Sequence, residues 1–264
     1  MGGWLAKKIR LGNTELHVGR LGLGASYGVP AKALEEAFEH GCNYFYWGAL
    51  RNAKMASAVR NIVKKGKRDE LVIVIQDFRR TRRGIEKSLV RGLNKLGLDY
   101  ADVLLLGWHN SPPNPKILDE VENLKKKQAF RYLGLSSHKR TLFPILAKDP
   151  RYDLFHIRYN AANRGAEEDI FSHFDSDRPG IVVFTATRKM SLVTSKRIPA
   201  DKKRPAAGDC YRFVLTNPNV DVAITGPSKA FQLKENILQV DKGPMTSEEM
   251  AWMRRIGDYV YGRT

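Results

Sequence analysis

Cysteine is almost absent from this chain, which has only two in 264 residues, Cys42 and Cys210. They lie far apart, and neither belongs to a Cys-x-x-Cys pair or to a Cys/His cluster with metal-ligand spacing. Such usage argues against a disulfide framework and against a structural zinc site. We therefore predict two reduced, apolar cysteines and no metal.

Long hydrophobic runs are lacking as well. No apolar segment approaches the length that a bilayer-crossing helix needs, and residues 1–8 do not carry the apolar segment of a secretion signal. The sequence therefore predicts a cytoplasmic protein without a membrane span.

Acidic residues are scarce compared with basic ones. The chain has 28 Asp and Glu against 45 Lys and Arg, a formal net charge of +17. This balance implies attraction to anions, and the position of the charge decides whether they are nucleic acids, lipid headgroups or a small acidic substrate. The composition leaves the oligomeric state open.

What the chain does have is an alternation of short apolar runs with amphipathic helical patterns. The run 103–106 is too short for a helix and is typical of a strand buried on both faces. Residues 10–21 predict a small hairpin before the first such strand, and a last amphipathic helix starts at Ser247. Eight strands, each followed by a helix, are predicted over 21–25, 43–47, 71–76, 103–106, 132–135, 154–157, 180–184 and 221–224.

The simplest closed arrangement of eight such units is an α/β fold, the (β/α)8 TIM barrel, here with an N-terminal β-hairpin and an extra C-terminal helix. An open doubly wound sheet is the alternative, but its Gly-x-Gly-x-x-Gly turn is absent after the first strand. The length suits one barrel, so we predict a single domain over residues 1–264. Functional residues of a barrel lie in the loops that follow the strands.

Several segments, in the right order, resemble the aldo-keto reductase family. They correspond to its N-terminal hairpin, its second, fourth and fifth strands, the end of its sixth strand and the start of its eighth: residues 11–18, 41–45, 99–106, 132–137, 159–164 and 217–220. The resemblance implies the barrel fold and an NADP(H)-linked oxidoreductase.

The resemblance also implies which residues hold NADP(H). The segment that starts at Gly226 is similar to the one that binds the adenosine end of the cofactor. Ser136 and Asn160 lie near the positions that bind the amide of its nicotinamide end. The implied cofactor-binding residues are Ser136, Asn160, Gly226, Ser228, Lys229, Gln232, Glu235 and Asn236. An ordinary solvated helix turn is the alternative interpretation of 235–236. Phe184 would have to supply the aromatic ring that often stacks on the nicotinamide in this family.

The family's catalytic tetrad is replaced throughout. Its aspartate, tyrosine, lysine and histidine correspond to Tyr46, Arg51, Gln76 and Gly107 in this sequence. A phenol with a pKa of about 10 needs a neighbouring cation to release its proton near neutral pH, and Gln76 supplies none. Two interpretations stay open: Tyr46 is the acid with Arg51 as its cation, or Tyr46 packs in the barrel while Arg51 contacts an anion or solvent.

Two histidines follow predicted strands and could face the same site. His109 follows the fourth strand and joins Tyr46 and Arg51 as a candidate catalytic residue, and His138 follows the fifth. Either histidine could instead be structural or solvated. No carboxylate accompanies either at ligand spacing, so no metal site is predicted.

Most basic runs follow barrel strands and should form a rim on the active side. A rim of one charge concentrates oppositely charged ligands, although solvated surface is the ordinary alternative. We therefore predict an anionic small-molecule substrate or a polyanion as the partner. Aromatic residues are not interleaved with these runs, so no specific nucleic-acid recognition is predicted. The rim residues are Arg79, Arg80, Arg82, Arg83, Lys139, Arg140, Arg164, Arg188, Lys189, Lys196, Arg197, Lys202, Lys203 and Arg204.

Three functions remain open at this point. The first is an NADP(H)-linked oxidoreductase with a rebuilt acid. The second is a catalytically inactive barrel that binds a cofactor or another anion as a sensor or scaffold. The third is a different reaction on the same barrel, since this fold supports many chemistries.

Overall fold

The strands form a closed barrel in the computed structural model, which describes residues 3–25, 28–48 and 53–263. Strands β1 (Ile9–Arg10) and β2 (His17–Val18) pair antiparallel as a separate hairpin. The next eight strands are parallel neighbours in sequence order, and the last pairs with the first. They are β3 (Leu21–Gly24), β4 (Tyr44–Trp47), β5 (Val72–Asp77), β6 (Ala101–Leu106), β7 (Phe130–Ser136), β8 (Leu154–Arg158), β9 (Gly180–Phe184) and β10 (Val222–Thr225). The predicted (β/α)8 barrel with its hairpin is confirmed.

Helices follow the barrel strands, and the longer ones begin and end at recognisable signals. Thr81 caps the helix after β5 by accepting a hydrogen bond from Gly84 N, and left-handed Gly97 ends that helix. The helices are α1 (Ala31–Glu39), α2 (Ala53–Lys64), α3 (Arg82–Leu96), α4 (Pro115–Lys126), α5 (Phe143–Leu146), α6 (Ala166–Asp169), α7 (Ser191–Thr194), α8 (Ala207–Thr216), α9 (Ala230–Val240) and α10 (Ser247–Tyr261). None of the described helices is both long enough and apolar enough to cross a bilayer.

The strand boundaries differ from the sequence prediction by up to two residues. The stretch 188–204, which carries seven of the predicted rim cations, contains the short helix α7. The eighth barrel strand begins at Val222 rather than at Asp221, whose carboxylate accepts hydrogen bonds from Arg178 and from Ile181 N. The contacts of Asp221 join segments that are distant in sequence.

The core has an inner and an outer layer. Val72, Val74 and other inward residues fill the barrel, whereas Ile73 and Ile75 lie in the layer beneath the helices. Burial on both faces explains why the strands lack polar alternation. The hairpin closes the barrel at the N-terminal ends of the strands. Its Leu11 packs against Gly180, so closely that a Cβ atom added at Gly180 would lie 2.7 Å from the Leu11 side chain.

Charged groups near the N-terminal ends of the strands are paired. Arg178 donates two hydrogen bonds to Asp221, at 2.8 and 2.9 Å, and both residues are buried. Buried Asp102 accepts hydrogen bonds from Ile73 N and from Arg68, at 2.8 and 3.0 Å. This end of the barrel is therefore stabilised by compensated charges.

Candidate active site at the barrel mouth

Strand alternation places a layer of side chains at the opposite end, the barrel mouth. Tyr44, Val74, Leu154 and Val182 belong to the inner core, and Tyr132 packs against it, so residues two or four positions further along the same strands also face inward. The mouth layer therefore comprises Tyr46, Gln76, Ser136, Arg158 and Phe184.

Three of the four tetrad positions lie together in this layer. The Tyr46 hydroxyl donates a hydrogen bond to Gln76 Oε1, and Gln76 Nε2 donates to Ser136 Oγ at 3.1 Å. A Cβ on Gly107 would lie 2.7 Å from Gln76 Nε2. Arg51 lies outside the described residues. The mouth thus joins a phenol to a neutral amide, with no carboxylate–lysine pair at the described positions.

The space for a histidine at Gly107 is already filled. A Cβ there would lie 2.6 Å from the ring of Phe78, closer than real Cβ atoms approach a neighbour. The Phe78 ring packs edge-on against Trp108, with 5.1 Å between ring centroids. A side chain at Gly107 would therefore displace Phe78 or Gln76.

A buried histidine that the sequence analysis missed lies beneath Tyr46. His156 Nε2 and Tyr44 Oη are 2.7 Å apart in a hydrogen bond whose donor depends on the histidine tautomer, and the His156 and Tyr46 ring centroids are 5.4 Å apart. Burial lowers the pKa of His156 to about 3 and raises that of Tyr44 well above its usual value. Both groups are neutral near pH 7 and add no charge below Tyr46. The alternation that starts from Leu154 was the available signal.

His109 is buried beside the mouth. Its backbone N donates to Ser136 O at 3.0 Å, while its Nε2 atom has no hydrogen-bond partner in the described part of the chain. Burial, and secondarily the charge of Arg80, lowers its pKa to about 4. The imidazole is therefore neutral near pH 7. No group of three potential metal ligands occurs among the residues that the structure describes.

His138 is exposed in an aromatic cluster that the sequence analysis did not identify. Its ring centroid lies 6.1 Å from that of Trp108 and 5.8 Å from that of Phe184, which it meets nearly perpendicularly. Partial burial, then the charges of Arg158 and Lys189, lowers the pKa of His138. Both cations therefore act on this imidazole electrostatically.

Many rim cations have structural partners. Arg80 donates to the backbone oxygens of Phe78, Arg79, Gly107 and Trp108, and so ties the loop after β5 to the loop after β6. Others pair with carboxylates or cap carbonyl groups: Arg82, Arg140, Arg164, Arg188, Arg197, Lys202 and Arg204. Within the described ranges, the predicted rim cations whose side chains have no hydrogen bond or ion pair are Arg79, Arg83, Lys139, Lys189, Lys196 and Lys203, the last of which lies over the Trp252 ring, and Arg158 shares this property.

The segment predicted to hold the adenosine end of the cofactor lies at the start of α9. Gln232 Oε1 accepts hydrogen bonds from Ser228 N, Ser228 Oγ and Lys229 N, which fixes the turn after β10. Asn236 is buried and donates to Thr225 Oγ1 at 3.1 Å, whereas Glu235 is exposed. An exposed hydroxyl and an ammonium group at the start of an eleven-residue helix suit a phosphate group.

The two residues predicted to bind the nicotinamide end of the cofactor each keep a hydrogen-bond donor. Ser136 Oγ accepts from Gln76 Nε2 and from Trp108 N, so its own proton remains to be donated. Asn160 donates to Thr185 O at 3.0 Å and accepts from Ala162 N and Asn163 N, which leaves one amide hydrogen. These donor sets are compatible with a carboxamide oxygen.

Comparison with known proteins agrees with this architecture. A model of the Aldo/keto reductase family matches residues 29–209. The chain is 22% identical over 289 residues to the Uncharacterized oxidoreductase YqkF of Bacillus subtilis (strain 168), covering 92% of this chain and 94% of that protein. It is 22% identical over 277 residues to the L-galactose dehydrogenase of Arabidopsis thaliana, covering 87% and 86%. The holo form of aldo-keto reductase AKR11C1 from Bacillus halodurans superimposes with a TM-score of 0.76 at 22% identity, over 95% of this chain and 96% of that one.

Proposed function

The chain belongs to the aldo/keto reductase family, and we propose that it is a single-domain, cytoplasmic NADP(H)-linked oxidoreductase with a non-standard active site that acts on an anionic substrate. The observation that carries this proposal is the Tyr46 hydroxyl, which is held by Gln76 in a mouth where Arg158 and Lys189 have no described counter-ion.

Tyr46 is placed to exchange a proton with substrate. Its hydroxyl donates to the neutral amide of Gln76, a weaker acceptor than a carboxylate, so it can turn toward a substrate oxygen at modest cost. Gln76 and His156 add no positive charge, and the negative charge that develops on the substrate must be stabilised by cations at the mouth. Arg51 stays a candidate for this role by its position in the sequence.

The cofactor proposal rests on the polar groups already described. NADP(H), when bound, would supply the hydride. Ser228, Lys229 and the first turn of α9 would hold a phosphate group, and Gln232 keeps that turn in place. Ser136 and Asn160 would orient the amide end through their remaining donors.

A catalytically inactive barrel that binds cofactor or another anion is the second candidate. Two observations favour it: Gln76 cannot lower the pKa of a phenol, and Phe78 fills the space beside Gly107. The first candidate requires cofactor binding and reaction of the bound cofactor, whereas the second predicts binding of the cofactor or of another anion without reaction.

One experiment separates the two candidates. NADPH is titrated against tryptophan fluorescence, and its oxidation in the complex is then followed by stopped flow with neutral aldehydes and with acidic ketones. We expect NADPH to bind and acidic ketones to oxidise it faster than neutral aldehydes. Tyr46→Phe should lower the rate by about 100-fold, as expected for loss of an acid.

Tyr261→Phe, which removes a hydroxyl group from the exposed end of α10, is the matched control and should leave the rate unchanged. Binding of NADPH without oxidation by either substrate class would identify the inactive candidate. An absence of NADPH binding would contradict the first candidate and would leave the second only as a barrel that binds another anion.

A further inference from the structure

Arg158 is a charged side chain in the mouth layer without a counter-ion. It is the last residue of β8, faces inward in register with His156, and is only half-buried. Its guanidinium has no hydrogen bond or ion pair to any residue in the described ranges. A partly desolvated arginine normally pairs with an anion, so this position is suited to bind one.

A second cation without a hydrogen bond or ion pair in the described ranges, Lys189, lies in the loop after β9, the strand whose Phe184 is in register with Arg158. Lys189 is exposed, and its charge, like that of Arg158, acts on the His138 ring. In the loop after β8, Glu167 pairs with Arg254 and Asp169 with Arg140, and the exposed Glu168 makes no ion pair with Arg158 or Lys189. The described part of the mouth therefore has two cations available for an external anion.

An exposed aromatic ring lies at the same opening. Trp108 is 57% exposed, and its backbone has φ of 52°, a left-handed conformation that a bulky residue rarely adopts. Ser136 Oγ accepts from Trp108 N at 3.1 Å, and Arg80 donates to Trp108 O at 3.1 Å. Contacts on both sides thus hold an unfavourable backbone that presents a large ring to solvent, a combination typical of binding sites.

The neighbouring imidazole extends this surface. The His138 ring lies next to that of Trp108, tilted by 50°, and meets the Phe184 ring nearly perpendicularly. Stacking on Trp108 and His138 favours a flat ring, and a guanidinium beside them favours a carboxylate or phosphate oxygen pair. The two preferences together describe one kind of ligand.

We propose that the barrel mouth binds an aromatic acid, with its ring on Trp108 and His138 and its carboxylate or phosphate group on Arg158 and Lys189. This assignment names the substrate class of the proposed function and rests on that function for turnover, although binding itself can be measured without cofactor. One indole with one imidazole beside it, at the opening of an enclosed barrel, suits a small molecule rather than a nucleic-acid strand, which needs successive stacking platforms.

The test is calorimetric titration, without cofactor, with 2-naphthoate, 2-naphthyl phosphate and the neutral 2-naphthamide. We expect both acids to bind at least about tenfold more tightly than the amide, as charge-assisted pairing with a guanidinium requires. The tighter of the two acids identifies carboxylate or phosphate as the preferred group. Equal binding of amide and acids would overturn the proposal.

Variants locate the site. Arg158→Gln should weaken 2-naphthoate about tenfold or more and leave the amide unchanged, because only the anionic group is lost as a ligand. Trp108→Leu should weaken all three ligands. Arg158→Lys, which keeps the charge, should recover part of the affinity and shows that the site still folds.

Arg91→Gln, on the exposed face of α3, removes the same charge away from the mouth and should not change binding. Equal losses in Arg158→Gln and Arg91→Gln, or displacement of 2-naphthoate by a single-stranded oligonucleotide at the same Arg158-dependent site, would overturn the proposal. Aromatic acids that bind while NADPH is never oxidised would contradict the proposed function alone. Oxidation of NADPH by neutral aldehydes without any binding of aromatic acids would contradict this inference alone.

Discussion

The two ends of the barrel treat polar groups in opposite ways. At the N-terminal ends of the strands, Arg178 pairs with Asp221 and Asp102 accepts from Arg68, so the described buried charges are compensated. Three of the buried polar atoms without a partner within the described ranges lie at the C-terminal ends, namely Trp47 Nε1, Asp77 Oδ2 and His109 Nε2, and one, Tyr152 Oη, lies just before β8 at the opposite end. Paired charges thus mark the first end, and most of the unpartnered polar atoms mark the second.

Backbone conformation shows the same division. Of the non-glycine residues described with positive φ, those at the mouth follow β6 or β9, namely Trp108, Thr185, Arg188, Lys189 and Met190. At the opposite end Gln128, before β7, is the described example. Left-handed conformations are unfavourable for L-residues, and they persist where surrounding contacts impose them, often at binding sites. This distribution of positive φ values indicates a binding site at the mouth, without reference to any sequence motif.

The largest effect should come from breaking a pair at the stable end. Asp221→Asn leaves the buried Arg178 charge uncompensated, so we expect the free energy of unfolding to fall by about 3–5 kcal/mol. Urea denaturation measures it. Asp201→Asn, which breaks the exposed pair with Lys202, is the control and should leave stability unchanged. Similar losses in the two variants would remove the distinction between a stable end and a functional end.

An intermediate effect should come from the neutral histidines near the mouth. Burial lowers the pKa of His156 to about 3 and that of His109 to about 4, both below the usual 6.5. Between these lowered pKa values and 6.5, the two histidines are protonated in the unfolded chain but not in the folded chain. The free energy of unfolding therefore has its full value above about pH 6.5. Acidification lowers it by up to about 1.4 kcal/mol per pH unit for each histidine.

This dependence can be measured by urea denaturation between about pH 7.5 and about pH 5. His156→Gln should flatten the profile, since glutamine does not titrate. His173→Gln, an exposed histidine, should not. Identical profiles for the wild type and His156→Gln would show that the buried histidine does not govern acid sensitivity.

The smallest effect on stability should come from the mouth itself. Trp108→Asn replaces a bulky left-handed residue with one that tolerates this conformation, so we expect the free energy of unfolding to change by less than about 1 kcal/mol. Trp108→Leu keeps the strain and should be the less stable of the two in urea. A loss in Trp108→Asn as large as that in Asp221→Asn would show that Trp108 is a structural residue rather than a binding surface.

The mouth also shows where prediction from sequence stops. Alternation along β6 would make His109 face the same way as Gly107, but the strand ends at Leu106 and Trp108 has a left-handed backbone, so the alternation does not extend to His109. The ring left exposed is Trp108. Arg80 was predicted as a rim charge for an anion, yet four backbone oxygens occupy its guanidinium. The acceptors are backbone carbonyl groups of the loops after β5 and β6, and the sequence of neither loop indicates that Arg80 binds them.

The order of the eight strands, their burial on both faces and the meeting of Tyr46, Gln76 and Gly107 at one end were all determined by sequence alone. The reason is that apolar runs and side-chain alternation are local, and a closed parallel barrel brings equivalent strand ends together. Only the tertiary structure decided which cations lack a hydrogen bond or ion pair within the described ranges. It also decided that Phe78 fills the space beside Gly107 and that Arg158, Trp108 and His138 lie at one opening. Those outcomes depend on contacts between separate loops, where hydrogen bonding and packing select among arrangements that no single segment specifies.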